Sequence, residues 1–328
     1  MNSILLSVII PAFNVREYII ECIDSLTGQV SIPHEIIVVN DGSTDGTGEL
    51  VEQHYAGNAA IKVINSHNQG AGLARDTGIA AAEGEYLFFC DPDDIVGDGM
   101  FREFSEVIEA HPATDLFCFN SKTFVDGHPE KTQFKVQHTL SGLTQAREVL
   151  SSLLANSRYT SAAWNYIVRR SLVLKHQLVF QDRVHEDHCF TLGAFLHSGQ
   201  AWVSRETYYR QRVRNGSLTN SHKPEHYFQA RYEAFSKSVD MLLANTDNSP
   251  LSQRIRRNYL LHSFRLMIYI SLYNRTDVPR PVINAIRDMG RTISPENLKE
   301  RLLLRHTTKF ILLQKIRTAN EMRRTAAN

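Results

Sequence analysis

The sequence predicts an α/β fold: a doubly wound, mostly parallel sheet flanked by helices, with a helical C-terminal extension. Three observations predict it. Four apolar runs rich in branched residues recur within the first 90 residues, the pattern of strands buried on both faces. Stretches with apolar residues at helical spacing separate them, giving the β-α-β-α alternation of a parallel sheet. From about Pro224 the strand signals fade into long helical patterns.

The elements follow in order. Residues 5–10, ending at Pro11, form the first expected strand. Residues 35–40, 60–64 and 85–90 form the next three. Helices are expected between them at 15–26, at 46–55 after the turn Asp41-Gly42-Ser43-Thr44-Asp45, and at the Ala-rich 71–82. Further on, 115–120 and 201–209 read as strands, and 144–155, 163–174 and 184–196 as helices. A domain boundary is expected near residue 224, separating 1–223 from a helical region 224–328.

Bulk properties exclude several classes. The 328 residues are 42% apolar and 22% charged, the composition of a soluble globular protein. A net charge of +1 gives no case for a nucleic-acid partner. Cys22, Cys90, Cys118 and Cys189 are scattered without a CxxC pair, which reads as reduced thiols in a cytoplasmic protein. The apolar N-terminus lacks a basic leader and a cleavage site, so it reads as a strand rather than a signal sequence. No run of about 18 apolar residues predicts a spanning helix. The closest, 259–273, is interrupted by His262, Ser263 and Arg265.

The chemistry concentrates at Cys90-Asp91-Pro92-Asp93-Asp94, which follows the apolar run Tyr86-Leu87-Phe88-Phe89. Its carboxylates emerge at the C-terminal end of a strand, the edge where open α/β sheets bind ligands. Clustered carboxylates repel and are costly to bury without a counter-ion. A divalent cation such as Mn²⁺ or Mg²⁺ supplies one and also holds a diphosphate. The competing reading is a solvated turn with a helix cap. Asp41 stands at the tip of the second strand, where its carboxylate can accept from a base N–H. Gly42, Ser43, Thr44, Asp45 and Gly46 are equally well explained as turn and cap residues. No GxGxxG supports a dinucleotide site. In His67-Asn68-Gln69-Gly70-Ala71-Gly72-Leu73-Ala74-Arg75, small residues let a helix approach the sheet, and Arg75 suits a phosphate or the Asp cluster.

Four segments together resemble the family 2 glycosyltransferases, which adopt the GT-A fold. They are Ser7-Val8-Ile9-Ile10-Pro11-Ala12-Phe13-Asn14, Ile37-Val38-Val39-Asn40-Asp41-Gly42-Ser43-Thr44-Asp45-Gly46-Thr47, Asn68 to Arg75, and Ala82 to Asp94. The resemblance is strong over roughly the first 100 residues. It implies a donor half at about 1–100 and an acceptor half at about 101–223. Pro11, Ala12, Phe13, Asn14 and Asp41 would hold the uracil of a nucleotide-sugar, and Arg75 would lie near base and ribose. Asp91 and Asp93 match the family's Asp-x-Asp motif. Asp93 would be the direct metal ligand, with Asp91 and Asp94 supporting the metal or the ribose and sugar. Asp76 departs from the pattern, where Asn is usual.

The later half matches more weakly. His185-Glu186-Asp187-His188 resembles the Glu-Asp pair beneath the acceptor, implying Asp187 as general base and Glu186 as an orienting group. The dipole and capping also favour acids in a helix's first turn. Trp164-Asn165-Tyr166 resembles a Trp-x-Lys segment with Tyr166 in place of Lys; Trp164 would contact the acceptor by stacking on a sugar, although an isolated Trp is more often a core residue. Tyr209 to Ser217 resembles the segment after the last strand, where Arg210 would reach the donor diphosphate and a basic loop would order over it.

The expected activity is a metal-dependent, inverting hexosyl transfer from a nucleotide-sugar, with UDP as the nucleotide. The acceptor would be a saccharide or lipid-linked saccharide in surface polysaccharide synthesis. Two alternatives stand beside it. A sugar nucleotidyltransferase would use similar carboxylates, but Pro11-Ala12-Phe13-Asn14 replaces its Gly-rich loop. A non-catalytic nucleotide-sugar scaffold would not need Asp187. Residues 291–328 carry nine basic and three acidic residues, a net of +6, interleaved with apolar ones. They fit an amphipathic helix at an anionic inner-membrane surface, or equally a helix packed on its own domain with a basic solvated face.

Overall fold

A computed structural model of the chain describes residues 4–29, 32–180, 185–214 and 225–326. They divide into two compact units, 1–220 and 221–328. The first unit runs β1 (Leu6–Ala12), α1 (Ile19–Thr27), β2 (His34–Asp41), α2 (Thr47–His54), β3 (Ile61–Ser66), α3 (Ala71–Ala81) and β4 (Tyr86–Phe89). It continues with β5 (Ile95–Val96), α4 (Met100–Ala110), β6 (Thr114–Val125), β7 (His128–Val136), β8 (Gly142–Gln145) and α5 (Ala146–Ala155). A 3₁₀ turn (Ala163–Asn165) then leads to β9 (Tyr166–Arg169), α6 (Arg170–Lys175), α7 (Asp187–His197) and β10 (Gln200–Val213). The second unit is helical: α8 (Glu225–Ala244), α9 (Pro250–Tyr273), α10 (Arg280–Thr292), α11 (Leu298–Arg305) and α12 (Thr307–Ala326).

One ten-stranded sheet has the order β3-β2-β1-β4-β9-β6-β10-β5, with β7 on β6 and β8 on β10. Strands β3, β2, β1 and β4 are all parallel. β9 runs antiparallel to both its neighbours, so the sheet's second half is mixed. β1 is buried along its whole length. Its residues Leu6, Val8 and Ile10 share a core with Ile19, Cys22, Ile23 and Leu26 of α1. Ile9 points to the other face, where a Cβ on Gly78 of α3 would come within 2.4 Å of its Cγ2. Glycine here is a packing requirement, and it sets how closely α3 lies against the sheet.

At the N-terminal edge of these strands, Glu35 is buried and accepts from Ser7 Oγ (2.7 Å), Lys62 Nζ (2.8 Å) and the Glu83 backbone (2.7 Å). That network leaves the opposite, C-terminal edge for the site.

Several elements differ from the sequence reading: α4, β5, β7 and β8 are not among those expected. Residues 163–174, expected as one helix, split into the 3₁₀ turn, β9 and α6. The β-favouring run Tyr166-Ile167-Val168 is buried between β4 and β6, and that pairing overrides the helical spacing. β7 carries only exposed residues until Val136, so it shows none of the apolar alternation that identifies a strand. Part of the expected helix at 184–196, namely Val184, lies outside the described residues, as does Pro224.

Candidate active site

The parallel pairing of β1, β2 and β4 brings the segments after their C-terminal ends to one edge of the sheet. The turns after β1 and β2 are laced together. Asn14 adopts the left-handed region (φ 51°). Its Oδ1 accepts from the Thr44 backbone at 2.8 Å, and its own N–H donates to Ser43 Oγ at 3.0 Å. Asp45 accepts from the Thr47 and Arg16 backbones. Ser43, Thr44, Asp45 and Thr47 therefore serve the turns. Pro11 and Ala12 are buried strand residues, while Phe13 is 46% exposed at this edge. Asp41 is buried and accepts from the backbones of Gln69 (2.9 Å) and Gly70 (2.8 Å), fixing the entry to α3.

Arg75, on α3, is 8% exposed. Its Nη2 donates to Asp91 Oδ1 and its Nη1 to Glu186 Oε1, both at 2.8 Å. Its Cζ lies 5.3 Å from the centre of the Phe180 ring. Burial opposes its charge, yet Asp91, Glu186 and Asp187 together hold the guanidinium above its ordinary pKa. Burial pushes the carboxyls of Asp91 and Glu186 up, and Arg75 offsets this only in part. Asp187 follows Glu186 directly and opens α7, half-buried. His185 precedes them in the left-handed region (φ 63°), its ring edge-on to His188 at 5.4 Å.

The three carboxylates after β4 have separate fates. Asp94 is buried, accepting from the Tyr209 hydroxyl at 2.7 Å and the Arg212 backbone at 2.7 Å. Burial pushes its carboxyl well above the usual range. It anchors the turn to β10 and does not face the ligand edge. Tyr209 also accepts from the Asp91 backbone at 3.0 Å. Asp93 Oδ2 accepts from Arg214 Nε at 2.6 Å. The remaining oxygens, Asp91 Oδ2 and Asp93 Oδ1, make no hydrogen bond among the described residues. Two hard carboxylate oxygens at a strand end fit a divalent cation completed by phosphate and water, the usual arrangement for Mg²⁺. No group of three or more His, Cys, Asp or Glu suited to a metal occurs among the described residues.

Two expected residues sit elsewhere. Trp164 is 3% exposed, its ring stacked on Tyr209 at 4.4 Å and 4°. It therefore backs the acidic turn from the core, and its burial corrects the expectation of an acceptor contact. Arg210 lies over Phe124 at 5.1 Å. From the end of β10, Arg212 and Arg214 reach the acidic turn, which Arg75 of α3 also meets. Arg212 donates to the Asp93 carbonyl (2.8 Å), Asp126 (2.7 Å) and Glu21 (2.6 Å). Their alternate spacing on one strand, Arg210-x-Arg212-x-Arg214, was the available signal, but it gives no distance along the strand. Asn215, Gly216 and Ser217, the rest of the expected basic loop, lie outside the described residues. Tyr166 is buried, its hydroxyl on Thr191 Oγ1 at 2.9 Å. Asp76 accepts from the Phe180 backbone at 2.9 Å.

Comparison with known proteins agrees with this architecture. The family model "Glycosyl transferase family 2" matches residues 7–168. The uncharacterized glycosyltransferase EpsJ of Bacillus subtilis is 35% identical over 237 residues, covering 70% of this chain and 68% of the relative. The poly(ribitol-phosphate) beta-N-acetylglucosaminyltransferase TarS of Staphylococcus aureus is 28% identical over 304 residues, 89% of this chain and half of TarS. The crystal structure of S. aureus TarS 1–349 in complex with UDP-GlcNAc superposes with a TM-score of 0.75 at 22% identity, covering 98% of this chain and 92% of that one. That likeness shows a shared GT-A fold. With four family segments converging on one sheet edge and a relative 35% identical over most of both chains, this chain belongs to the family 2 glycosyltransferases and is a glycosyltransferase enzyme.

Proposed function

We propose that this enzyme transfers a sugar, with inversion, from a UDP-linked donor to a hydroxyl of a saccharide or lipid-linked saccharide acceptor. The observation that carries the reading is the Arg75 bridge: it ties Asp91, beside the second carboxylate Asp93, to the Glu186-Asp187 pair. Donor and acceptor chemistry thus share one wall. A UDP donor is supported by the fold shared with TarS, whose structure holds UDP-GlcNAc.

Asp91 and Asp93 would hold a divalent cation, which offsets the diphosphate charge as the glycosidic bond breaks. Asp187 takes the proton from the acceptor hydroxyl. The acceptor oxygen then bonds to the anomeric carbon from the face opposite the leaving group. The carbon–oxygen bond to the diphosphate breaks, and its electron pair leaves with the nucleoside diphosphate. Glu186, held by Arg75, fixes the start of α7 and so aims Asp187. Phe13, exposed beside Asn14 and Asp41, offers an apolar face for the base.

The test is a donor screen with Mn²⁺ or Mg²⁺, reading nucleoside diphosphate release. UDP-sugar turnover that disappears with chelator is the expected result. Turnover insensitive to chelator would remove the metal from the reading, and turnover with other nucleotides alone would remove UDP.

A peripheral membrane site is the second part of the proposal. No helix among the described residues is long and apolar enough to cross a membrane. On α12, Leu312, Leu313 and Ile316 are 59%, 52% and 55% exposed beside the exposed cations Lys309, Lys315 and Arg317. Such a face suits the inner surface of an anionic membrane, where lipid-linked acceptors are presented.

A further inference from the structure

Cations gather where β6 and β10 run side by side past the acidic turn. Arg212 pairs there with Glu21 and Asp126, and Arg214 with Asp93. Lys122 and Arg210 have no carboxylate partner among the described residues. Each rests on an aromatic ring instead: Lys122 Nζ lies 4.7 Å from the centre of Phe134, and Arg210 Cζ 5.1 Å from that of Phe124. The strand register makes these two cations neighbours. Arg210 of β10 stands directly opposite Lys122 of β6, and Phe134 of β7 stands on the far side of Lys122. Adjacent strands are about 4.8 Å apart, so two half-buried like charges share one face. Like charges placed directly opposite each other destabilise a sheet. A cation over an exposed ring recovers only about 0.5–1 kcal/mol. On the other flank of Arg210 stands Ile95 of β5, the residue that follows Asp94. The pair is therefore built beside the acidic turn, on strands of the expected acceptor half.

We propose that Lys122 and Arg210 form a subsite for a phosphate group carried by the acceptor. Two cations match a phosphomonoester, which bears close to two negative charges at neutral pH; a carboxylate would offset only one. The planar fork of Arg210 takes two phosphate oxygens, and the Lys122 ammonium takes a third. Phe134, 39% exposed beside Lys122, offers an apolar contact to the carbon chain next to the phosphate. The donor diphosphate is the other phosphate source at this edge. The proposed function holds it with a cation at Asp91 and Asp93. Arg210 stands two residues, about 6.6 Å of strand, from Arg212, which holds the Asp93 carbonyl. This inference deepens the proposed function and rests on its placing of the donor at the acidic turn.

The test is isothermal titration of the full chain with glycerol phosphate as probe, with and without saturating UDP. Wild type should bind the probe in both conditions, and bind glucuronate, a carboxylate control, more weakly. Lys122→Gln and Arg210→Gln should each weaken the probe about tenfold, the scale of one lost charge-assisted hydrogen bond, while keeping wild-type UDP affinity. Lys122→Arg should keep the probe. Without ligand, both Gln variants should melt no lower than wild type, because the repulsion is relieved; a lower melting temperature would show that the charges hold the sheet and are no ligand site. If UDP blocks the probe and either Gln variant loses UDP affinity, the pair serves the donor diphosphate and the acceptor subsite is overturned. It is equally overturned if the probe binds wild type and both Gln variants alike, binds none of them, or binds no better than glucuronate. Failure of wild type to bind UDP would count against the donor reading alone, since the probe is also titrated without UDP.

Discussion

The guanidinium of Arg75 meets the carboxylate of Asp91 at 2.8 Å, and its other arm meets Glu186 at the same distance. These residues come from α3, the end of β4 and the start of α7. A single buried cation therefore joins the donor segment to the segment bearing Asp187. The resemblance to the family placed Arg75 near base and ribose. Its burial and two ion pairs support a further role in holding the site's geometry.

Replacing Arg75 with Met should destabilise the first unit by about 3–5 kcal/mol, the range for removing one partner from a buried ion pair. The loss should depend on pH. Burial already raises the Asp91 and Glu186 carboxyls above their ordinary values. A raised carboxyl pKa means that ionisation works against folding, so stability is lost as pH rises through the raised value. Without Arg75 that penalty grows. The variant's deficit should be largest at neutral pH and shrink under acid conditions, as read by urea denaturation at several pH values. A deficit that is absent, or independent of pH, would show that the triad contributes little.

Asp187→Asn should keep the shape of the α7 start and remove its proton acceptor. Turnover should fall by roughly 10²–10⁴, as for other lost general bases. UDP affinity should stay near wild type if, as proposed, Asp187 serves the acceptor rather than the donor. Isothermal titration with UDP and steady-state turnover separate the two effects. Collapse of UDP affinity with little change in turnover would move Asp187 out of the base role.

Asp76 carries a pH signature of its own. Burial raises its carboxyl above the ordinary value, opposed by the Phe180 hydrogen bond and by Arg75. The sign follows as for Asp91: the ionised form costs stability, and the cost grows as pH rises from the unfolded value through the raised one. Asn would keep an oxygen for the Phe180 N–H without the charge. Asp76→Asn should therefore melt at a higher temperature than wild type at pH 8 and at about the same temperature near pH 3. A lower melting temperature at pH 8 would mean that the charge facing Arg75 outweighs its burial.

Much of the fold was legible because parallel strands buried on both faces announce themselves as apolar runs. β1, β2, β3 and β4 fall within two residues of the expected bounds. The Asp91–Asp94 turn was legible as an acidic cluster at the end of a strand, but the division of labour within it was not. Sequence order cannot show that Asp94 turns inward to Tyr209 and Arg212 while Asp93 meets Arg214. Those partners lie more than 110 residues away, and chain spacing carries no information about them. Trp164 illustrates the same limit: a tryptophan beside a family motif fits a sugar platform, while an isolated one is more often a core ring. Only its stacking on Tyr209 decides. β9 was missed because its three β-favouring residues lie inside a helix-like pattern, and tertiary pairing chose between them.

An exposed apolar face of the second unit gives the last prediction. Within α11 and α12, Leu303, Leu304 and Phe310 are buried, whereas Leu312, Leu313 and Ile316 face outward. Removing the chain from Arg291 onward would thus take core residues with the surface, and loss of membrane binding would prove nothing about the face. Substitution of Leu312, Leu313 and Ile316 by Gln leaves Phe310 and the packing of α12 on α9 in place. The triple variant should fold like wild type and lose most co-sedimentation with anionic vesicles. Lys309, Lys315 and Arg317 would each add about 1 kcal/mol of attraction near such a surface. That attraction is screened over roughly 8–10 Å at physiological ionic strength. Wild-type binding should then weaken with salt and be slight on neutral vesicles. UDP-sugar turnover with a soluble acceptor should be unchanged in the variant. Equal sedimentation of the two proteins, or none by either on anionic vesicles, would return α12 to a helix with a merely solvated face.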